Sequence, residues 1–378
     1  MASQVVYPQN RVSLGPVQVV QADIPLLSTP VAISISIYSS AAQLSQKLTL
    51  SSSLTWTLEP MSDPIWKDRR VAVIGCGSSG TQVVPELRPY VKHLDNYVRG
   101  RTWISQPFAL GFLQKYPDWE TRNHIFTDEE KRMFREQPEV YKEMLMQLED
   151  FNHSVHSATH VGTKMENFLR STYESKMREK LTSRPDIAET LIPDFPLICR
   201  RMTFGVGYLE SLCADNVTFV PNPITRVTPD GIETSDGTLR RCDIIITATG
   251  FDTTFQISGP NSGVATGSLI MTIEAQSDYV VSCIENLQRQ LIKYMVPKKK
   301  SVDDFQAYLD SYFPKTVWAR KCRTWYKAGK EDGKVTALWP GSSLHQYQAL
   351  QQPRFEDYDY KFLYGEGDPA KVNCLYWL

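Results

Sequence analysis

The sequence predicts an α/β fold built on a Rossmann-type nucleotide-binding domain with a helical insertion. Three observations predict it. VAVIG at 71–75 is an unbroken apolar run rich in β-branched residues, the pattern of a parallel strand buried on both faces. GCGSSG at 75–80 follows it directly and opens a helical pattern carried by Val83, Val84 and Leu87. After a long helical stretch, strand signals return at 217–220, 224–228 and 243–247, separated by the turns PDG and SDG.

In chain order, the first 60 residues are unusual. Their only charged residues are Arg11, Asp23, Lys47 and Glu59, and they hold eleven serines and one glycine, Gly15. Val31, Ile33, Ile35 and Ile37 alternate with small residues, which predicts one strand; QLSQKLTLSSS predicts weakly ordered chain. Ordinary globular composition begins near Trp66. A second strand is expected from His93 to Arg99. From Asp128 to Leu181 the period is helical, with Met165, Phe168, Leu169, Tyr173, Met177 and Leu181 on one face. Later helices are expected at 273–295 and 301–313, the second opened by a Ser301–Asp304 capping box. The last ~50 residues, rich in Trp and Tyr, read as a loop-dominated cap. The expected division is 1–65, a low-charge N-terminal segment; 66–250, the nucleotide-binding domain with its helical insertion at 105–195; and 251–378, the remainder.

The 378 residues carry 41 Lys plus Arg against 42 Asp plus Glu, a formal net charge of -1. That balance gives no electrostatic footprint for nucleic acid or an anionic membrane. No stretch reaches the ~18 apolar residues of a spanning helix, and no cationic start precedes an apolar core as in a signal peptide. Seven scattered cysteines without a CxxC pair speak against a disulfide scaffold, a zinc ribbon and a dithiol redox site, so the expected home is the reducing cytoplasm.

GCGSSG is a GxGxxG in the strand-to-helix context that the motif requires. Gly75 permits the tight turn, Gly77 lets the backbone approach a diphosphate, and Gly80 lets helix and strand pack closely. The helix N-terminus supplies backbone N–H groups and the positive end of its dipole. NAD and FAD sites usually place a carboxylate ~20 residues on, at the end of the second strand. Here that place holds Arg99, with Arg101 just beyond. A cation there suits the 2′-phosphate of NADPH; the alternative is a pair of solvated loop arginines.

VAVIGCGSSGTQVVPEL and RTWISQPFA resemble the second Rossmann motif of Baeyer–Villiger-type flavoprotein monooxygenases, in the flavour found in fungal secondary-metabolite pathways. CRRMTFGVGYLESL at 199–212 is similar to that group's arginine-bearing segment and DIIITATGFD at 243–252 to its ATGF linker. GPNSGVATGS with EAQSDYV (259–280) resembles its flavin-domain return, and CRTWYKAGKEDGKVTALWPGSSLHQYQAL (322–350) its C-terminal motif. The resemblance spans residues 66 to 360. It implies an NADPH-binding domain plus part of an FAD-binding domain, the cofactors FAD and NADPH, and a small-molecule ketone and O2 as reactants. NADPH reduces the flavin, a flavin peroxide forms with oxygen and attacks the ketone, and an ester or lactone results. Carried over residue by residue, Gly75, Cys76, Gly77, Ser78, Ser79, Gly80 and Thr81 cradle the NADPH diphosphate. Arg99 meets the 2′-phosphate, Gly100 beside it is cofactor-binding, and Arg200 contacts NADPH. Thr249 and Gly250 belong to the segment that joins and hinges the domains. Arg201 matches the arginine beside the flavin peroxide, where a permanent cation stabilises a peroxy anion.

The sequence departs from the family pattern. No glycine motif precedes residue 75, and FxGxxxHxxxW has no match before residue 66, since the first histidine is His93. Two readings follow: a shortened enzyme, or a remnant or altered gene product that at most binds NADPH. Of the other signals, His153, His156 and His160 share a helical face, but small and β-branched neighbours weaken the helix there, and no metal site is assigned. Trp325, Trp339 and Tyr347 either line a pocket for a bulky ketone or belong to the core. Ser342 and Ser343 sit in a PGSS turn, which is no nucleophile elbow.

Overall fold

The structure is a computed structural model that describes residues 66–105, 116, 124–249 and 259–363, together with the backbone of 18–24 and 31–37. Gly250 and Phe251, the end of the expected linker motif, lie outside the described residues, as does the QLSQKLTLSSS stretch. The strands are β1 (Gln18–Ile24), β2 (Val31–Ile37), β3 (Arg70–Ile74), β4 (His93–Tyr97), β5 (Ile104–Ser105), β6 (Thr203–Phe204), β7 (Val217–Val220), β8 (Ile224–Thr228), β9 (Gly231–Thr234), β10 (Leu239–Arg241), β11 (Ile244–Thr247), β12 (Ile292–Pro297) and β13 (Tyr358–Phe362). The helices are α1 (Gly80–Leu87), α2 (Asp128–Glu136), α3 (Pro138–Ser154), α4 (Lys164–Lys180), α5 (Pro185–Leu191), α6 (Tyr208–Leu212), α7 (Leu269–Arg289), α8 (Lys299–Tyr312) and α9 (Ser343–Leu350).

The chain divides into two compact units. The first comprises Met1–Gln106, Lys176–Ile192 and Thr203–Phe251; the second comprises Pro107–Ser175, Pro193–Met202 and Asp252–Leu378. The helical insertion expected at 105–195 is thereby split. Its larger part groups with the C-terminal residues, while 105–106 and 176–192 fall in the first unit.

The first unit is built on a six-stranded sheet in the order β1-β2-β11-β3-β4-β7. β11, β3, β4 and β7 run parallel, while β2 pairs antiparallel with β11, and β1 with β2. β3–α1–β4 is a βαβ unit, the connection that parallel neighbours require. Val71, Ala72 and Val73 are fully buried, which is why the strand reads as continuous apolar sequence rather than an alternating one. Each buried valine contributes roughly 1.5–3 kcal/mol. On one face Ala72, Tyr97, Val220 and Ile245 form a core with Ile232 of the three-stranded sheet β10-β9-β8. Residues alternate across a strand, so Val71 and Val73 point to the other face, where α1 packs on β3 and α6 packs on α1. β4 stops at Tyr97, two residues short of the expected end, and leaves Arg99 in an exposed loop.

The second unit holds α2, α3, α7, α8, α9 and the antiparallel pair β12–β13. α7 begins at Leu269 with Ser268 as its N-cap, the Ser268 hydroxyl accepting from the Met271 N–H at 3.4 Å. It ends at Arg289, so the helix expected through 295 is overrun: residues 292–295 are strand instead, pairing with 358–362. α8 begins at Lys299, not at a Ser301 cap. Ser301 lies inside the helix and donates its hydroxyl to Asp357 at 3.1 Å. A capping box does occur at Thr127–Glu130, opening α2. Phe168, expected on a buried face of α4, is exposed, whereas Met177 and Leu181 of that face are buried.

Candidate functional site

The site follows from parallel pairing. Thr247 stands beside Ile74, and Ile74 beside Tyr97, so β11, β3 and β4 end at one edge of the sheet. The loops leaving those ends are Ala248–Thr249, Gly75–Ser79 and Val98–Gly100. Ligands of open α/β sheets gather at such carboxyl ends.

The glycine turn is built as the motif demands. Gly75 has φ of 120°, and a Cβ there would collide with the Ala248 carbonyl oxygen. A Cβ on Gly80 would collide with the Gly75 carbonyl oxygen, so α1 starts tightly against the turn. Gly77 differs: a Cβ there meets nothing within 4 Å, and Gly77 and Ser78 are exposed. The two outer glycines are required by packing within the fold. The middle one guards open space, where a diphosphate would approach the backbone. Ser79 is the N-cap of α1 and makes no side-chain cap, and no acidic residue occupies the first turn. A bound anion would therefore meet backbone donors and a positive dipole end without a competing carboxylate.

Two side chains brace the turn. Thr81 Oγ1 donates within reach of Gly77 O (3.2 Å), Ser78 O (3.3 Å) and Phe204 O (2.9 Å). Asn96, fully buried in β4, donates from Nδ2 to Val73 O at 3.1 Å and Gly75 O at 3.2 Å. Its Oδ1 accepts from the Tyr208 hydroxyl at 2.7 Å. The amide thus fixes the last turn of β3 from the neighbouring strand. Sequence reasoning missed Asn96 and Tyr208, because neither forms a motif; the available signal was one polar residue at a buried position of an apolar strand.

Arg99 and Gly100 lie on the same edge, with Cys76 Sγ 4.0 Å from the Gly100 carbonyl oxygen. Arg99 is exposed. Arg101 donates from Nη1 to the Ile192 carbonyl oxygen at 2.8 Å, which occupies that guanidinium in holding the loop. Thr249 is exposed beside the turn, next to buried Ala248. The structure therefore brings together Gly75 through Thr81, Arg99, Gly100 and Thr249.

Arg200 and Arg201 belong to the second unit and are described there. The Arg200 guanidinium stacks over the Phe195 ring, 4.6 Å from its centroid. Arg201 is exposed, and its charge acts on the buried Tyr326 phenol, which burial pushes up to about 12 while Arg201 draws it down. The segment is anchored by the indole of Trp318, whose Nε1 donates to the Ile198 carbonyl oxygen at 3.2 Å. Two expected motifs also meet in this unit. Asn261 Nδ2 donates to Val335 O at 2.9 Å and Leu338 O at 3.0 Å, and Gln346 Nε2 donates to Ser262 O at 2.6 Å. GPNSG thus packs on the C-terminal motif.

Trp339 donates from Nε1 to His345 Nδ1 at 3.1 Å and tilts against Phe305, while Trp325 and Tyr347 are 45% exposed. Ser343 Oγ lies 3.2 Å from His153 Nδ1, and His153 Nε2 lies 3.7 Å from Glu149. Ser343 is buried and packs against Gly267, where an added Cβ would collide with its Oγ. His156 and His160 meet edge to face at 5.7 Å. Among the described residues no helix is long and apolar enough to cross a membrane.

No protein-family profile matches the chain. Individual relatives do. The FAD-binding monooxygenase tazF of Aspergillus terreus is 33% identical over 336 residues, covering 79% of this chain and 59% of the relative. The chain is thus similar in sequence to FAD-binding monooxygenases over most of its length. A second fungal relative, the FAD-binding monooxygenase moxY of Dothistroma septosporum, is 28% identical over 331 residues, 78% of this chain and 51% of its own length. A Baeyer–Villiger monooxygenase of Pseudomonas aeruginosa is 27% identical over 322 residues, 73% and 56% of the two chains. The chain spans little more than half the length of these curated relatives. Among solved structures, an oxidised steroid monooxygenase bound to NADP matches with a TM-score of 0.58 at 19% identity, over 79% of this chain and 68% of its own. Cyclohexanone monooxygenase in an open form gives 0.57 at 19% identity, over 78% and 66%. At that identity the likeness shows the fold, an α/β architecture of Rossmann type.

Proposed function

We propose that this chain binds NADPH at the 75–81 turn and serves a Baeyer–Villiger-type, FAD-dependent oxidation of a ketone. The substrate class we favour is a polyketide or terpenoid intermediate of fungal secondary metabolism, because two of the relatives named above are fungal FAD-binding monooxygenases. The observation that carries the nucleotide reading is Gly77: an exposed glycine, unconstrained by its own fold, between two glycines that the fold requires.

The residues present fit the nicotinamide cofactor. Backbone N–H groups at the start of α1 would hold the diphosphate, Ser79 would add a hydroxyl, and Arg99 would pair with the 2′-phosphate. FAD fits less well. These 378 residues hold one GxGxxG, at 75–80, and it is the nicotinamide cofactor that this turn suits. Bound together, the two cofactors supply hydride transfer and oxygen activation. The chain's own contributions are to seat the diphosphate, to hold the Gly75 turn rigid through Asn96, and to present the Arg201 guanidinium, whose positive charge can neutralise a developing oxyanion.

A second reading is favoured by that single glycine motif: a protein that binds NADPH and turns over nothing. One experiment separates them. Purified chain is titrated with NADPH by fluorescence, then supplied with FAD and a cyclic ketone while NADPH oxidation is followed. Ketone-dependent oxidation, lost in Arg201→Ala with NADPH affinity kept, supports the enzyme. Saturable NADPH binding without turnover supports the second reading, and absence of binding removes both.

A further inference from the structure

Cys199 and Cys322 lie 123 residues apart in sequence, yet their Cα atoms are 6.6 Å apart and their sulfurs are bonded. That spacing is within the range a disulfide spans. Both residues are buried; Cys199 ends the one-turn segment 197–199, which packs on the one-turn segment 317–319, and Cys322 follows the latter by three residues. Cys199 directly precedes Arg200 and Arg201. On the other side, Cys322 precedes the turn that carries Tyr326 and the buried Lys327, whose ammonium donates to the Arg320 and Glu331 carbonyl oxygens. With Trp318 on Ile198, the bridge is a second fastener between the arginine-bearing segment and the C-terminal motif. Cys76, Cys213, Cys242 and Cys283 are free thiols, so the pairing is specific to these two among the described cysteines.

We propose that Cys199 and Cys322 form a reversible disulfide that fastens the Arg200–Arg201 segment to the C-terminal segment. The oxidant is a small-molecule disulfide such as oxidised glutathione. One protein thiolate attacks it and releases one glutathione thiol. The second protein thiolate then displaces glutathione from the mixed disulfide. The two protein thiols lose two protons and two electrons, and the glutathione disulfide becomes two thiols. In a reducing compartment a bridge of this kind responds to redox state instead of acting as a permanent staple. The bridge does not depend on the proposed function; only its consequence for Arg201 as an oxyanion partner does.

The test uses the full 378-residue chain, equilibrated in glutathione buffers from fully reduced to fully oxidised, quenched with N-ethylmaleimide in denaturant so that buried thiols also react, and mapped by mass spectrometry without reduction. A peptide linking Cys199 to Cys322 should grow with the oxidised share, while Cys76, Cys213, Cys242 and Cys283 stay alkylated. Alkylation of both Cys199 and Cys322 at every ratio, in protein that melts cooperatively, overturns the bridge. Trypsin reads the fastening, because it cuts after Arg200 and Arg201. Cleavage there should rise at least fivefold on reduction, and in Cys322→Ser without added reductant; an unchanged rate overturns the fastening. Should Cys322→Ser fail to fold, the reduced wild-type chain gives the same comparison. Neither readout involves NADPH, so loss of nucleotide binding leaves both intact.

Discussion

The Tyr208 hydroxyl donates to Asn96 Oδ1 at 2.7 Å, and the same Asn96 amide holds the carbonyl oxygen of Gly75. A residue of the 199–212 motif is thereby tied, through one buried amide, to the first glycine of the phosphate turn. Removing the hydroxyl in Tyr208→Phe leaves a buried acceptor unpaired, which costs about 1–3 kcal/mol. Urea unfolding should show that loss. NADPH affinity should weaken as well, because the Gly75 carbonyl loses a fixed partner geometry.

Gly77→Ala and Gly80→Ala separate binding from folding. A Cβ at 77 meets nothing within 4 Å, whereas one at 80 collides with Gly75 backbone. Gly77→Ala should melt within about 2 °C of wild type, a change of under ~0.5 kcal/mol, yet bind NADPH at least tenfold more weakly. Gly80→Ala should lose both stability and binding. Differential scanning fluorimetry with and without NADPH checks both.

Arg99→Ala should distinguish the two nicotinamide dinucleotides. A hydrogen-bonded ion pair to a phosphate contributes about 1.5–3 kcal/mol, so NADPH should weaken ten- to a hundredfold while NADH is unaffected. Equal loss for both dinucleotides would remove Arg99 from the 2′-phosphate.

Asp95 is 3% exposed in β4, and burial raises its carboxyl above the usual range despite His93, Arg70 and Arg240 nearby. The folded state therefore holds this proton more tightly than the unfolded state. The stability it contributes in acid, below the unfolded pKa, is lost as pH rises through the folded value. Asp95→Asn should accordingly be more stable than wild type at pH 7, with the difference closing toward pH 4. Urea midpoints across that range test it.

α7 exposes a row of apolar side chains: Ile270, Ile273, Val280, Val281 and Ile284, each at least 46% exposed. Contiguous apolar surface of this kind drives association. Ile273→Glu with Val281→Glu should leave the melting temperature within about 2 °C of wild type, the usual scale for surface changes. Light scattering should then show less self-association at the same concentration.

The first unit was legible because its signals are local. VAVIG, GCGSSG and the strands at 217–220, 224–228 and 244–247 stand where the sequence places them, since each is a short run whose pattern reports its own burial. The failures are long-range. Residues 292–295 carry enough helical pattern to extend α7, but pairing with 358–362 overrides it. Ser301 has a capping spacing, yet α8 starts two residues earlier and Asp357 takes the hydroxyl. Asn96, Tyr208 and the Cys199–Cys322 pair are invisible to spacing because their partners lie 112 and 123 residues away.

The central claim is that the open space above Gly77 receives the diphosphate of NADPH. Its most direct test is a fluorescence titration of NADPH into the wild-type chain and into Gly77→Ala, both verified as folded. The account predicts saturable binding to wild type and at least tenfold weaker binding to the variant. Equal binding by the two proteins, or none by the wild type, would contradict it.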